Sequence, residues 1–154
     1  MKTFEEIIQF AIRHEEQEIA FYRELATRSP NQDQKNALLV QVNEEMAQKK
    51  VLEQMLASHD LPRGEARYYR APKEMHLESQ FQPKNESSEP LSYEDALLLS
   101  IDMERKAEQL YREMADHMAM FNKGLAKTLL FLAEQQGKHR SRLEAAFDDA
   151  MTDN

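Results

Sequence analysis

Cysteine is absent from this sequence, and glycine and proline are scarce, with three and five residues. The absence of cysteine excludes disulfides, thiolate nucleophiles, iron–sulfur clusters and every metal site built from thiolates. Few glycines and prolines imply few turns, which is typical of a mostly helical protein. At 154 residues the chain can bury a substantial core, and we expect a single domain over residues 1–154.

The charge balance and the apolar runs exclude two further classes of protein. The net charge of −8 repels phosphate backbones and anionic lipids, so we expect neither nucleic acid nor a membrane surface as a partner. Apolar runs such as Ala96 to Leu99 are far too short to span a bilayer. The opening residues MKTFEEII lack the features of a secretory signal, so we expect a cytoplasmic protein.

Four segments carry a stripe of residues at steps of three and four, and each stripe turns polar at its middle. The stripes are Phe4, Ile8, Ala11, Glu15, Glu18, Tyr22 and Leu25; Leu38, Gln41, Glu45, Gln48, Leu52 and Met55; Tyr93, Leu97, Ser100, Glu104, Ala107, Tyr111 and Met114; Leu125, Leu129, Leu132, Gln136, His139 and Leu143. Such a stripe is the face that a helix turns toward a core. The sequence therefore predicts four amphipathic helices.

Capping residues and prolines set the limits of these helices. The first helix begins at the Thr3–Glu6 capping box and ends near Thr27, and the second is capped by Asn31 and ends near Ser58. The third helix is capped by Ser92 with Asp95 and ends near His117 or Met118. The fourth helix runs from about Asn122 to Phe147. Residues 59–91 hold four of the prolines and lack helical periodicity, so they are predicted to form a long crossover. Residues 148–154 are predicted to be a frayed tail.

The two halves of the chain repeat each other. The segment YRELA, which begins at Tyr22, recurs as YREMA at Tyr111, and this alignment places Glu15 on Glu104. A second alignment places the segment around Glu45 on the fourth helix. Two related helical hairpins joined by a crossover predict an all-α, ferritin-like four-helix bundle of two antiparallel pairs.

The polar positions of the stripes are expected to meet at one height inside this bundle. We call them the polar layer: Glu15, Glu18, Gln41, Glu45, Gln48, Glu104, Gln136 and His139. No Lys or Arg lies on the stripes to neutralise the four carboxylates, and a buried carboxylate costs several kcal/mol unless it is paired, protonated or bound to a metal. Carboxylate oxygens together with an imidazole nitrogen suit iron or manganese, and also zinc. The layer is therefore a candidate metal site.

The stripe segments resemble a known family. AIRHEEQEIAFYRELA, LLVQVNEEMAQKKVLE, ALLLSIDMERKAEQLYREMA and LLFLAEQQGKHRSRLE are similar to the four helices of the rubrerythrin di-iron domain, in the ferritin-like superfamily. The resemblance implies that Glu15 and Glu104 are terminal metal ligands, Glu45 a bridging ligand and His139 a terminal nitrogen ligand. It also implies a role in reducing peroxide or oxidising ferrous iron.

Two positions depart from the family pattern. Gln48 stands where the family has a histidine, and Gln136 stands where it has a second bridging glutamate. An amide oxygen coordinates weakly and brings no charge. We therefore predict a degenerate site, with one ion held by Glu104, His139 and Glu45 and with Glu18 as a further candidate ligand. Two ions, or a hydrogen-bonded layer without any metal, are the alternatives.

Further expectations concern partners and neighbouring residues. We expect a homodimer, and an active protein would need a separate electron donor, because the sequence cannot form a thiolate iron site. The competing interpretation is a non-catalytic helical bundle with a structural or partner-binding role. The hydroxyls of Tyr22 and Tyr111 are expected to bond to carboxylates of the polar layer. The remaining histidines are expected to be solvated: His14, His59, His76 and His117.

Overall fold

The computed structural model describes residues 2–58, 61–64, 68–69 and 92–152. Its helices are α1 (Phe4–Thr27), α2 (Gln32–Ala57), α3 (Tyr93–Met118) and α4 (Lys123–Thr152). Two short strands, β1 (Lys2–Thr3) and β2 (Tyr68–Tyr69), pair antiparallel, with Lys2 opposite Tyr69 and Thr3 opposite Tyr68. The predicted all-α four-helix architecture is confirmed.

The predicted caps form at the starts of the first three helices. The Thr3 hydroxyl accepts a hydrogen bond from the Glu6 backbone N–H, and the Glu6 carboxylate accepts one from the Thr3 N–H, both at 3.2 Å. The side chains of Asn31 and Ser92 accept bonds from backbone N–H groups three residues later, at 2.8 and 3.0 Å. Each cap satisfies an N–H group that would otherwise lack a partner, which typically contributes about 1 kcal/mol.

The end of α4 differs from the prediction. Residues 148–152, which were expected to fray, continue the helix to Thr152, whereas residues 153–154 lie outside the described part of the chain. Ala150 is only 5% exposed and packs with Leu143, and the Thr152 hydroxyl donates to the Asp148 carbonyl at 2.7 Å. The helix thus extends beyond Phe147, where it was predicted to end.

The helices run in the order expected for two antiparallel hairpins. Short loops at residues 28–31 and 119–122 join α1 to α2 and α3 to α4. The starts of α1 and α4 pack with the ends of α2 and α3, so the chain between α2 and α3 joins opposite ends of the bundle. The predicted crossover over residues 59–91 lies mostly outside the described residues.

Buried apolar side chains form two separate groups along the bundle axis. The first apolar cluster joins the starts of α1 and α4 to the ends of α2 and α3, and includes Phe4, Leu52, Met114 and Leu129. The second apolar cluster gathers the other ends of the helices, and includes Tyr22, Leu38, Leu97 and Leu143. Every residue of the four predicted stripes is buried. Among the described helices, none is both long enough and apolar enough to cross a membrane.

Candidate metal centre

The polar layer lies between the two apolar clusters, and every helix contributes to it. Its members come from α1 (Glu15, Glu18), α2 (Gln41, Glu45, Gln48), α3 (Glu104) and α4 (Gln136, His139). Each of these side chains is at most 3% exposed. The stripe spacing explains this, because steps of three and four keep a polar residue on the same helix face as the apolar residues before and after it.

Three side chains from different helices form a mixed-donor group: Glu45, Glu104 and His139. One ligand atom from each lies within 4.8 Å of the other two. His139 Nδ1 is 2.7 Å from Glu45 Oε1 and 3.9 Å from Glu104 Oε2. One imidazole nitrogen with two carboxylates is a donor set that suits iron, manganese or zinc.

A second group consists of carboxylates alone, and we call it the all-carboxylate group: Glu15, Glu18 and Glu45. Their ligand atoms also lie within 4.8 Å of one another. Glu45 belongs to both groups, which is the arrangement that the resemblance implies for a bridging ligand. Glu18 lies here with Glu15, and it also contacts Glu104, with which the sequence hypothesis combined it.

The side-chain amides of Gln48 and Gln136 bond to each other, and Gln136 also bonds to Glu15. The Gln136 side-chain N–H₂ donates to Gln48 Oε1 at 2.9 Å and to Glu15 Oε1 at 3.2 Å. Glu15 Oε1 also accepts from the Tyr111 hydroxyl at 3.3 Å. This side of the polar layer therefore obtains several hydrogen bonds from the protein itself.

The predicted bonds from tyrosine hydroxyls to carboxylates are confirmed. Tyr22 of α1 donates to Glu104 Oε1 of α3 at 2.7 Å, and Tyr111 of α3 donates to Glu15 of α1. Each tyrosine thus orients the carboxylate of the opposite helix. Both tyrosines are at most 1% exposed, so these bonds are protected from competing water.

Sequence reasoning missed two residues that hold His139 in place. Glu44 Oε2 lies 2.8 Å from His139 Nε2, and Arg142 Nη1 and Nη2 donate to the Glu44 carboxylate at 2.7 and 2.9 Å. A carboxylate that accepts the Nε2 proton of a histidine leaves Nδ1 free to bind a metal. Glu44 and Arg142 are off the stripes and partly exposed. The only signal in the sequence was that Glu44 adjoins a candidate ligand.

Replacing Glu44 with Leu is expected to weaken cation binding at the mixed-donor group by roughly 10–100-fold. The substitution removes the carboxylate that orients His139 without removing any of the three candidate ligands. Isothermal titration of metal-free protein with Mn²⁺ measures the change. Glu53→Leu, on the exposed side of α2, is the control and should leave the affinity unchanged. Equal affinities for the Glu44→Leu variant and the wild type would contradict this role.

His14 was predicted to be solvated, and this was wrong. Its side chain is 3% exposed, and Nε2 lies 2.8 Å from Glu18 Oε1, one turn along α1. The buried face of α1 is wider at the polar layer than the predicted stripe, so His14, the neighbour of Glu15, is also buried. His117 is partly exposed, whereas His59 and His76 lie outside the described residues.

Burial controls the protonation of the polar layer. It raises the pKa of Glu18, Glu45 and Glu104 well above the usual range, and it also raises the pKa of Glu15. Repulsion by a neighbouring carboxylate adds to the upward shift in the first three. Burial lowers the pKa of His139 to about 4. Without a cation, the layer is therefore favoured in its uncharged form.

Several ligand atoms of the layer have no hydrogen-bond partner in the part of the chain that the structure describes. They are Glu15 Oε2, Glu45 Oε2 and Glu104 Oε2. Buried polar atoms normally have a partner, and an unmet one costs about 1–3 kcal/mol. A divalent cation would coordinate these atoms and neutralise the carboxylates together. The residues present therefore fit an iron, manganese or zinc ion.

Comparison with known proteins agrees with this geometry. The rubrerythrin family model matches residues 95–154. This match supports a rubrerythrin-type, ferritin-like domain. The match covers nearly all of α3 and the whole described length of α4, and so includes Glu104, Gln136 and His139 of the polar layer. No curated protein and no solved structure shows significant similarity to the chain.

Proposed function

We propose that the protein binds iron, with one ion held at the mixed-donor group of Glu45, Glu104 and His139. The observation that carries this proposal is the convergence of one nitrogen and several carboxylate oxygens, of which Glu45 Oε2 and Glu104 Oε2 have no hydrogen-bond partner among the described residues. The rubrerythrin match to α3 and α4 supports iron over the other ions that the donor set suits. Manganese or zinc at the same atoms is the nearest alternative.

The asymmetry of the layer supports assigning the tightest ion to the mixed-donor group. On the Glu15 side, Gln136 and Tyr111 already supply hydrogen bonds to the carboxylate. On the Glu104 side, His139 Nδ1 is turned into the layer by the contact between its Nε2 and Glu44. Only one of the two metal positions of the rubrerythrin pattern thus keeps its strong ligands. The amides of Gln48 and Gln136 lack the charge and basicity that tight binding of a second ion needs.

We further propose a redox role toward peroxide or ferrous iron. Bound iron would supply the one-electron redox chemistry, and a separate reductant would supply electrons. Glu45 and Glu104 bind the ion, Tyr22 fixes Glu104 through its hydroxyl, and Glu44 holds the proton on His139 Nε2. The two apolar clusters exclude water from above and below the layer. The non-catalytic bundle remains the competing function.

Metal analysis tests the binding proposal directly. Metal-free protein is loaded anaerobically with Fe²⁺, freed of excess ion and analysed by mass spectrometry for metal content. We expect at least one ion per chain, and we expect Glu104→Gln and His139→Phe to lose it, while Glu53→Gln keeps it. A wild-type chain that retains no iron, manganese or zinc would refute the proposal. Peroxide consumption with ascorbate in excess then separates a redox protein from a binding protein.

Restoring the family ligands is expected to strengthen the weaker side of the layer. The double substitution Gln48→His with Gln136→Glu rebuilds a Glu-x-x-His pair on both α2 and α4. We expect the affinity for a second ion to rise by about tenfold or more, because an imidazole and a charged carboxylate replace two neutral amides. Metal content per chain at limiting free Fe²⁺ measures the gain. An unchanged content would show that the amides do not limit the second position.

A further inference from the structure

His14 is a buried imidazole that the proposed iron position does not use. It lies on α1, 3% exposed, with its ring parallel to Phe10 at a centroid distance of 6.5 Å and an angle of 5° between the planes. Its Nε2 atom lies 2.8 Å from Oε1 of the fully buried Glu18. The ring is thus held on one side by an aromatic face and directed on the other toward a carboxylate.

His14 approaches the layer without joining either group of candidate ligands. Among the described residues, the groups whose ligand atoms lie within 4.8 Å of one another contain Glu15, Glu18, Glu45, Glu104 and His139, but not His14. The contact recorded between His14 and Glu18 involves one of the two carboxylate oxygens, Oε1. This geometry is that of a group that orients a ligand, since it contacts one carboxylate and leaves that carboxylate an oxygen for the layer.

Glu18 needs such support more than its neighbours do. Glu18 is fully buried, and its ligand atom lies within 4.8 Å of those of Glu15 and Glu45. Glu15 receives hydrogen bonds from Tyr111 and Gln136, and Glu104 receives one from Tyr22, but no tyrosine or amide bond to Glu18 is present in the described structure. The imidazole of His14 takes the place of those donors.

We propose that His14 is a positioning residue that holds Glu18 as the third carboxylate of a second metal position, formed by the all-carboxylate group. This inference rests on the proposed function, because Glu45 is shared with the iron position. The second position has only oxygen ligands, so it takes a hard divalent cation such as Mn²⁺. At this second position an imidazole orients a carboxylate ligand. At the proposed iron position, by contrast, the Glu44 carboxylate orients the imidazole ligand His139.

The test is a Mn²⁺ titration of the metal-free full chain, with free Mn²⁺ followed by electron paramagnetic resonance. Wild-type protein should show two binding steps. His14→Phe keeps the ring shape but removes the nitrogen, and it should weaken the second step by about tenfold or more with less than about a twofold change in the first. His14→Gln places an amide near the position of Nε2 and should recover most of the second step. Glu16→Gln, on an exposed part of α1, is the matched control.

Each outcome bears on one of the two proposals. Equal weakening of both steps by His14→Phe, or no weakening, overturns the role of His14. Wild-type uptake of a single ion also overturns it and leaves the iron proposal standing, whereas wild-type uptake of none refutes the proposed function itself. If His14→Phe does not fold, Glu18→Gln gives the same comparison, and it must weaken the second step selectively for the inference to hold.

Discussion

Replacing Glu45 with Gln is expected to abolish metal binding by the whole layer, with both Mn²⁺ affinities falling by more than about 100-fold. Glu45 is the one residue that belongs to both the mixed-donor and the all-carboxylate groups. Gln preserves its shape but cannot supply a charged oxygen to either ion. Titration with detection of free Mn²⁺ measures both steps in one experiment. A variant that loses only one step would show that Glu45 does not bridge the two groups.

The same substitution should stabilise the metal-free protein. Burial raises the pKa of Glu45 well above its usual range, so folding at neutral pH must either protonate this side chain or bury its charge. Removing that cost should raise the free energy of unfolding by more than about 1 kcal/mol. Urea denaturation in the presence of a chelator measures it. Glu53→Gln, on the exposed face of α2, should change neither stability nor binding.

The metal-free protein is expected to become more stable as the pH falls from about 7.5 to about 5.5, the reverse of ordinary acid denaturation. The four carboxyls of the layer have raised pKa values, so the folded state keeps protons that the unfolded state releases. Each retained proton adds about 1.4 kcal/mol of stability per unit of pH decrease. This contribution is complete below the usual glutamate pKa and is lost as the pH rises through the raised values.

Two histidines oppose this trend over part of the range. Burial lowers the pKa of His14, and it lowers that of His139 to about 4. Below about pH 6.5 the unfolded chain protonates both rings while the folded chain does not, so the gain in stability becomes shallower there.

Metal-loaded protein should show the opposite slope, because protons compete with the cation for the ligands. Melting temperatures across the pH series, with chelator or with saturating Mn²⁺, measure both slopes. Parallel slopes would contradict a metal site in the layer.

The sequence predicted the architecture and the centre of the site because both depend on periodicity. Steps of three and four place Glu15, Glu45, Glu104 and His139 on stripes, and a stripe needs only helical geometry to become buried. The caps at Thr3, Asn31 and Ser92 depend on local contacts and were predicted for the same reason. All of these are properties of a single helix, which a sequence specifies directly.

What the sequence did not predict depends on how the helices pack together. Glu44 and Arg142 meet only because α2 and α4 lie side by side, and no pattern within either helix indicates that contact. His14 is buried because the covered face of α1 widens at the polar layer. The homodimer, the separate electron donor and the cytoplasmic location stay predictions, because each involves a second molecule or a cell.

The polar layer between two apolar clusters also has a consequence for how the helices align. A helix displaced along its axis by one turn moves by about 5.4 Å. Such a slip of α4 would bring Leu132 to the level that Gln136 occupies, and so would place an apolar side chain among the carboxylates. This exchange is unfavourable, so the polar layer helps to fix the axial register of α4. Without the polar layer, two hairpins with uniformly apolar interior faces would have little to distinguish one axial alignment from another.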